Sequence, residues 1–371
     1  MTRFIGLMSG TSLDGVDGVL VDFEGGARPR LLAHVHQGFE AALRGELLAL
    51  NARGPDELHR AALAANGVSR AYADVVAALL QATSLGPADV RAVGAHGQTV
   101  RHRPGLDDGV GYTVQLLNGA LLAELGGIDV VCDLRSRDLA AGGQGAPLVP
   151  AFHAAIFGDA SQAVAALNVG GIANLTLLPP GGPVLGFDTG PGNLLLDLWC
   201  RRHTGQPYDR DGAWAASGTV HAGLLKALRA DAYFDRAPPK STGRDDFHGR
   251  WLEAALARLD VAPVPQDVQA TLLELTAGTV ADALRRHGPS TQRLVVCGGG
   301  AFNGALMARL QALLAPVQVV GSAAMGVAPD HVEAMAFAWL ARAWCDRRPG
   351  SLPEVTGARG PRVLGALYPA R

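Results

Sequence analysis

Twice in this chain of 371 residues a short apolar stretch runs into a polar, glycine-bearing turn and returns as a second apolar stretch. Residues 4–8 (FIGLM) lead into Ser9-Gly10-Thr11-Ser12-Leu13-Asp14-Gly15-Val16-Asp17, and residues 19–23 (VLVDF) return. Residues 163–169 (AVAALNV) meet Gly170-Gly171, and residues 175–178 return. Short apolar runs bounded by Gly, Ser, Asn and Asp read as buried strands joined by tight turns. Further strand-like runs lie at 90–95, 129–132, 184–187 and 294–297, and helical spacing at 40–52, 56–82, 194–203, 266–287 and 333–345. The order predicts two α/β units of similar plan, each with a glycine turn at a strand end, where α/β folds bind their ligands.

Composition narrows the function classes. Hydrophobic residues make up 48% and charged residues 18%, enough apolar material for ordinary cores and too little charge for a disordered chain. The formal net charge is −2 with no basic block, which argues against a dedicated nucleic-acid binder. Lys226 and Lys240 are the only lysines, so lysine-based chemistry has two candidates. Cys132, Cys200, Cys297 and Cys345 form no CxxC pair, so neither a zinc site nor a disulfide framework is indicated. Scattered cysteines, no apolar run near the ~18 residues of a membrane span and no signal-peptide core predict a soluble cytoplasmic protein.

No GxxxxGK[ST], GxSxG, HExxH or kinase HRD motif occurs. The glycine turns remain. The Ser9–Asp17 turn is suited to aiming successive N–H groups at an anion, with Asp14 and Asp17 able to hold Mg²⁺ through water; it also reads as an ordinary polar hairpin. Gly170-Gly171 and Gly298-Gly299-Gly300 follow apolar strands, where glycine permits close approach of a ligand or simply tight strand–helix packing. Three such turns in one chain point to a polyphosphate held between two domains. Asp188, between Phe187 and Thr189-Gly190-Pro191-Gly192, is placed either for general-base work or to cap the helix that begins near Asn193. Glu333 opens an Ala/Met/Phe/Trp-rich helix, as a dipole partner or as a group facing a cleft.

Together these stretches resemble one family, the anhydro-N-acetylmuramic acid kinases of the hexokinase/actin/Hsp70 fold superfamily. The resemblance rests on GLMSGTSLDGVD (residues 6–17), GAHGQT (94–99), AAGGQGAPLVPAFH (140–153), LNVGGIANLT (167–176), GFDTGPGNLLLD (186–197), PPKSTGR (238–244), CGGGAFN (297–303) and EAMAFAWLA (333–341). The family's DFR and STGRE become Asp133-Leu134-Arg135 and Ser241-Thr242-Gly243-Arg244-Asp245 here.

The resemblance implies a two-lobed actin/hexokinase-like ATPase fold with a central ATP and substrate cleft. The first lobe would cover about 1–130, with residues 331–371 returning to it, and the second 131–330. It implies a cytoplasmic, usually dimeric enzyme of peptidoglycan recycling. With ATP and Mg²⁺ it would open the 1,6-anhydro ring of anhydro-N-acetylmuramic acid hydrolytically and phosphorylate O6. Asp188 would be the general base for the attacking water. Glu333, Thr99, Arg135, His96 and Gln98 would bind the sugar. Gly10, Thr11, Ser12, Leu13, Asp14, Gly15, Val16, Asp17, Gly170, Gly171, Gly298, Gly299 and Gly300 would bind ATP. Mg²⁺ would be held by the ATP phosphates, with no direct protein ligand assigned. Another sugar or acetate kinase of the same fold, or a nucleotide-dependent regulator, are the alternatives; neither needs Asp188 and Glu333 together.

Overall fold

The computed structural model describes residues 2–10, 12–24, 29–243 and 245–371, so Thr11 of the first glycine turn lies outside the described residues. The chain forms two compact units: Met1–Ile156 with His331–Arg371, and Phe157–Asp330.

The first unit is built on a six-stranded sheet in the order β13-β7-β4-β1-β2-β3. Its strands are β1 (Arg3–Met8), β2 (Gly15–Asp22), β3 (Arg30–Gly38), β4 (Ala92–Ala95), β7 (Val130–Cys132) and β13 (Ala366–Tyr368). A separate hairpin pairs β5 (Gln98–Pro104) with β6 (Gly111–Leu116). β1, β2 and β3 form an antiparallel meander, and β4 and β7 extend it in parallel. The boundary read near residue 130 falls at 156/157 instead. Residues 131–156 pack with the first unit because β7 pairs with β4 on one edge and with β13 on the other.

The pleat explains why helices cover both faces. On β1, Ile5 and Leu7 point to one side and join Val68, Tyr72, Val75 and Leu79 of the helix Glu57–Thr83 in one buried cluster. Gly6 points to the other side, and with Gly94 of β4 it lies against the backbone of the helix Val332–Cys345. A Cβ on either glycine would overlap a helix carbonyl, that of Ala334 or that of Phe337. The absence of side chains there lets the helix rest directly on the sheet.

The second unit repeats the plan with a five-stranded sheet in the order β10-β9-β8-β11-β12. Its strands are β8 (Val164–Val169), β9 (Ile172–Leu178), β10 (Leu185–Pro191), β11 (Arg293–Cys297) and β12 (Gln318–Gly321). Again three strands form an antiparallel meander and two extend it in parallel. Leu167, Leu175 and Phe187 pack in one core with Leu272, Leu275 and Val280 of the helix Pro265–His287. Among the described residues no helix is long and apolar enough to cross a membrane.

Candidate active site

In each unit the parallel strands end on one side of the sheet, and the glycine turns collect there. In the first unit this edge carries the turn after β1, the segment after β4 and the segment after β7. The turn is closed by Leu13 N–H donating to Gly10 O at 3.3 Å, with Leu13 itself in the left-handed region at φ 58° and buried. Gly15 and Val16 are buried too, and a Cβ on Gly15 would overlap the Gln37 carbonyl. Ser12 and Asp14 are exposed, and the Ser12 hydroxyl donates to Asp14 Oδ1 at 2.6 Å. Asp17 is engaged within the sheet: its Oδ1 lies 3.3 Å from His34 Nε2 and 2.9 Å from His36 Nδ1. Burial works to raise its carboxyl, but these two imidazoles outweigh it and hold Asp17 below the usual carboxylate range.

Gln98 is wholly buried and donates from Nε2 to Gly10 O at 3.1 Å, so it steadies the turn. Ser9 braces the same turn from below: its hydroxyl lies 2.8 Å from the Tyr72 hydroxyl and donates to Gly97 O at 3.1 Å. His96 is buried under the Phe337 ring and accepts at Nε2 from Arg135 Nε at 3.2 Å. Burial first, and then the guanidinium charge, push His96 down to about 3, so it is neutral at physiological pH. Arg135 also donates to Gly145 O at 2.8 Å. Burial lowers Arg135 to about 10, opposed by the charge of Glu333 in the first turn of the helix Val332–Cys345. Thr99 Oγ1 accepts from Gln115 Nε2 at 3.2 Å. His96, Arg135 and Glu333 are thus brought into one polar cluster, with Thr99 and Gln98 on the adjoining strand.

Sequence reasoning assigned no site role to two groups here. His102 on β5, exposed and with Nδ1 3.0 Å from Thr113 Oγ1, is held below the usual imidazole range by partial desolvation and by the Arg135 charge. Asp138, fully buried, accepts from Gly145 N–H and Thr356 Oγ1, each at 2.8 Å, and so fixes the loop whose carbonyl holds Arg135. Thr356 comes from the far end of the chain, which no local motif reveals.

In the second unit the glycine turns lock onto one another. Gly192 N–H donates to Gly171 O at 2.9 Å and Asn193 N–H to Gly170 O at 2.8 Å. Gly298, at φ 75°, and Gly300 pack against Asn168 and Val169 at the end of β8, while Gly299 faces Asn193. Close packing therefore accounts for two of the three late glycines, and a Cβ at 299 would meet only Asn193 Nδ2, 3.5 Å away.

Asp188 lies within β10, which continues through a bulge to Pro191 rather than ending at residue 187. It does not cap the following helix Leu194–Thr204, whose N-cap is Asn193. Its Oδ2 instead accepts from Thr242 N–H at 2.9 Å, and Oδ1 accepts from no described residue. Burial raises the Asp188 carboxyl to about 6, against the opposing effects of the Thr242 hydrogen bond and the Lys240 charge. A carboxylate with one oxygen fixed, the other open and a pKa near neutrality suits a general base. The PPKSTGR segment that supplies Thr242 and Lys240 stood out as a motif but carried no assigned role.

The comparisons with known proteins agree over the full length. The family model "Anhydro-N-acetylmuramic acid kinase" matches residues 2–370. An anhydro-N-acetylmuramic acid kinase of Variovorax paradoxus (strain S110) is 61% identical over 99% of this chain and 99% of its own. One of Bordetella petrii is 62% identical over 99% of this chain and 96% of its own. Among solved structures, the activator of the 2-hydroxyisocaproyl-CoA dehydratase from Clostridium difficile with bound ADPNP superposes with a TM-score of 0.50 at 13% identity, covering 93% of this chain and 96% of that one, a likeness of fold alone. By its family model and its relatives, the chain belongs to the anhydro-N-acetylmuramic acid kinase family: it is a kinase, a nucleotide-binding transferase acting on a small sugar.

Proposed function

We propose that the enzyme couples hydrolysis of the 1,6-anhydro bond of anhydro-N-acetylmuramic acid to phosphorylation of the freed O6 by ATP, giving the 6-phosphate and ADP. The observation that carries this reading is Asp188, with its raised carboxyl, its one fixed oxygen and its one open oxygen. An ordinary sugar kinase transfers phosphate to a hydroxyl already present and has no water to activate. Here Asp188 accepts a proton from water as the water oxygen bonds to C1. The C1–O6 bond breaks, and O6 attacks the γ-phosphorus with ADP leaving. Attack opposite the departing oxygen is the logic of an inverting glycosidase.

The other candidates take supporting roles. Arg135, fixed by His96 and Gly145, offers a guanidinium fork suited to the lactyl carboxylate or the ring oxygens. Glu333 and Thr99 complete the sugar-binding set, while the buried His96 and Gln98 act through the groups they brace, Arg135 and the Gly10 turn. We assign the backbone around Gly10, Ser12 and Asp14 to phosphate binding, and Gly170, Gly171 and Gly298–Gly300 to further ATP contacts. Among the described residues no three His, Cys, Asp or Glu side chains converge as metal ligands. A magnesium ion would be held by the ATP phosphates and reached through water by the exposed Asp14. When bound, it neutralises charge on the transferring phosphoryl group. We place the enzyme, as a cytoplasmic homodimer, in peptidoglycan recycling, on the strength of the family motifs.

The test is incubation with ATP, Mg²⁺ and anhydro-N-acetylmuramic acid in ¹⁸O-water, with product mass and label position followed by mass spectrometry. One phosphoryl group plus one labelled oxygen at C1 is the expected result. Phosphoryl gain without water would leave a plain sugar kinase and remove the base role. Absence of ADP release would send the search to another substrate.

A further inference from the structure

β10 is an edge strand of its sheet, so the backbone N–H and C=O of Asp188 point away from β9 and need partners outside the ladder. Both are met by one segment. Asp188 N–H donates to Lys240 O at 3.1 Å, and the Tyr233 hydroxyl donates to Asp188 O at 2.8 Å. Two residues beyond Lys240, Thr242 N–H holds the carboxylate, and the Thr242 hydroxyl is itself anchored on Asp246 Oδ2 at 2.7 Å. Lys240 also ties the segment to itself. Its Nζ donates to Tyr233 O at 3.2 Å and Phe234 O at 3.3 Å, and sits 4.7 Å from the centre of the Tyr233 ring. Tyr233, Phe234, Phe247 and Trp251 form a contiguous aromatic block beneath.

We propose that Lys240 and Tyr233 are positioning residues for Asp188, closing a strap over the strand edge that sets the direction and electrostatic surroundings of its carboxylate. This rests on the reading of Asp188 as the base. The strap explains why one of only two lysines lies beside a reaction that needs no lysine nucleophile. It is not simply a folding device. Tyr233 and Thr242 hold the backbone and one oxygen, whereas Lys240 adds a positive charge that favours the ionised carboxylate. Other charges face Lys240: Asp235 and Arg236 from the same loop, and Arg286 and His287 from the end of the helix Pro265–His287, which border the same cavity of about 110 Å³ or lie beside it. Asp246 and Arg236 face Tyr233. Among the described residues, Lys240 is the cation whose charge acts on Asp188.

The experiment is a pH profile of kcat, with KM for sugar and for ATP, for wild type, Lys240→Met, Lys240→Arg, Tyr233→Phe and Asp188→Asn. Lys240→Met is expected to lower kcat about tenfold with both KM values within about twofold of wild type, and to move the acidic limb up by roughly half a pH unit. Lys240→Arg, which keeps the charge and donors, should restore most of the rate and the limb. Tyr233→Phe keeps the ring but loses the hydroxyl, and should lower kcat without moving the limb. A Lys240→Met enzyme with wild-type kcat and limb overturns the proposal. If Lys240→Met does not fold, Tyr233→Phe decides, and an unchanged kcat there overturns it equally. Asp188→Asn separates the two layers. Full turnover in that variant sinks the base reading and the strap with it, whereas an inactive Asp188→Asn beside a wild-type-like Lys240→Met sinks the strap alone.

Discussion

On the reading proposed here for Asp188, the chemistry turns on one carboxylate whose surroundings oppose its charge. Asp188 sits at about 6 against an ordinary 3.8, chiefly because burial penalises the anion. As a base it works only when ionised, so turnover should fall as pH drops through about 6. Asp188→Asn should lower kcat by ~10²–10⁴-fold. The same residue has a stability cost of opposite sense. Because its folded pKa lies above the unfolded one, the folded state favours the proton, and stability is lost as pH rises from about 4 to about 6. Asparagine keeps an acceptor for Thr242 N–H and carries no charge. Asp188→Asn should therefore be more stable than wild type at pH 7.5, by about 1–2 kcal/mol, with the gain vanishing near pH 4. Urea titrations at the two pH values test this, and a less stable variant at pH 7.5 would refute it. Asp197 is also raised to about 6, so only the difference between variant and wild type isolates Asp188.

At the scale of elements, the helix Val332–Cys345 places Glu333 and Phe337 by resting on the glycines of β1 and β4. Gly94→Ala would drive a methyl into the Phe337 carbonyl, and backbone on both sides leaves no flexible group to yield. We expect a loss of about 2–4 kcal/mol. We also expect a larger fall in kcat/KM for the sugar than for ATP, since Glu333 moves with the helix. Gly45, in the exposed helix Ala41–Ala49, has nothing within 4 Å of where a Cβ would stand. Gly45→Ala should stabilise by about 0.5–1 kcal/mol. Denaturation midpoints of the two variants should therefore move in opposite directions. Similar shifts would mean that helix contact with the sheet is not what those glycines secure.

At the scale of the whole chain, the two units differ in how they are assembled from sequence. Phe157–Asp330 is continuous and has its own core, whereas the first unit needs both Met1–Ile156 and His331–Arg371. A fragment of residues 157–330 should unfold cooperatively on its own. A fragment ending at 330 should lack a stable first unit, because the face of β1 and β4 that carries Gly6 and Gly94 would be uncovered. Thermal melts followed by far-UV circular dichroism test both. A non-cooperative 157–330 fragment would show that its core is insufficient alone.

Local pattern determined much of this protein. The apolar runs at 4–8, 19–23, 163–169 and 294–297 are strands, and the helical spacing at 266–287 and 333–345 matches Pro265–His287 and Val332–Cys345. These elements are buried, so their periodicity is strong. The half-exposed edge strand β3 and the hairpin of β5 and β6 were not read, because mixed polar and apolar residues give them little signal. Glycine turns and Asp188 were legible because their chemistry is written in adjacent residues. What surrounds Asp188 was not. Tyr233, Lys240 and Thr242 lie 45 to 54 positions away from it, and Thr356 lies 218 from Asp138. Only tertiary structure brings such groups together, and the proton affinity of a carboxyl depends on its neighbours in space.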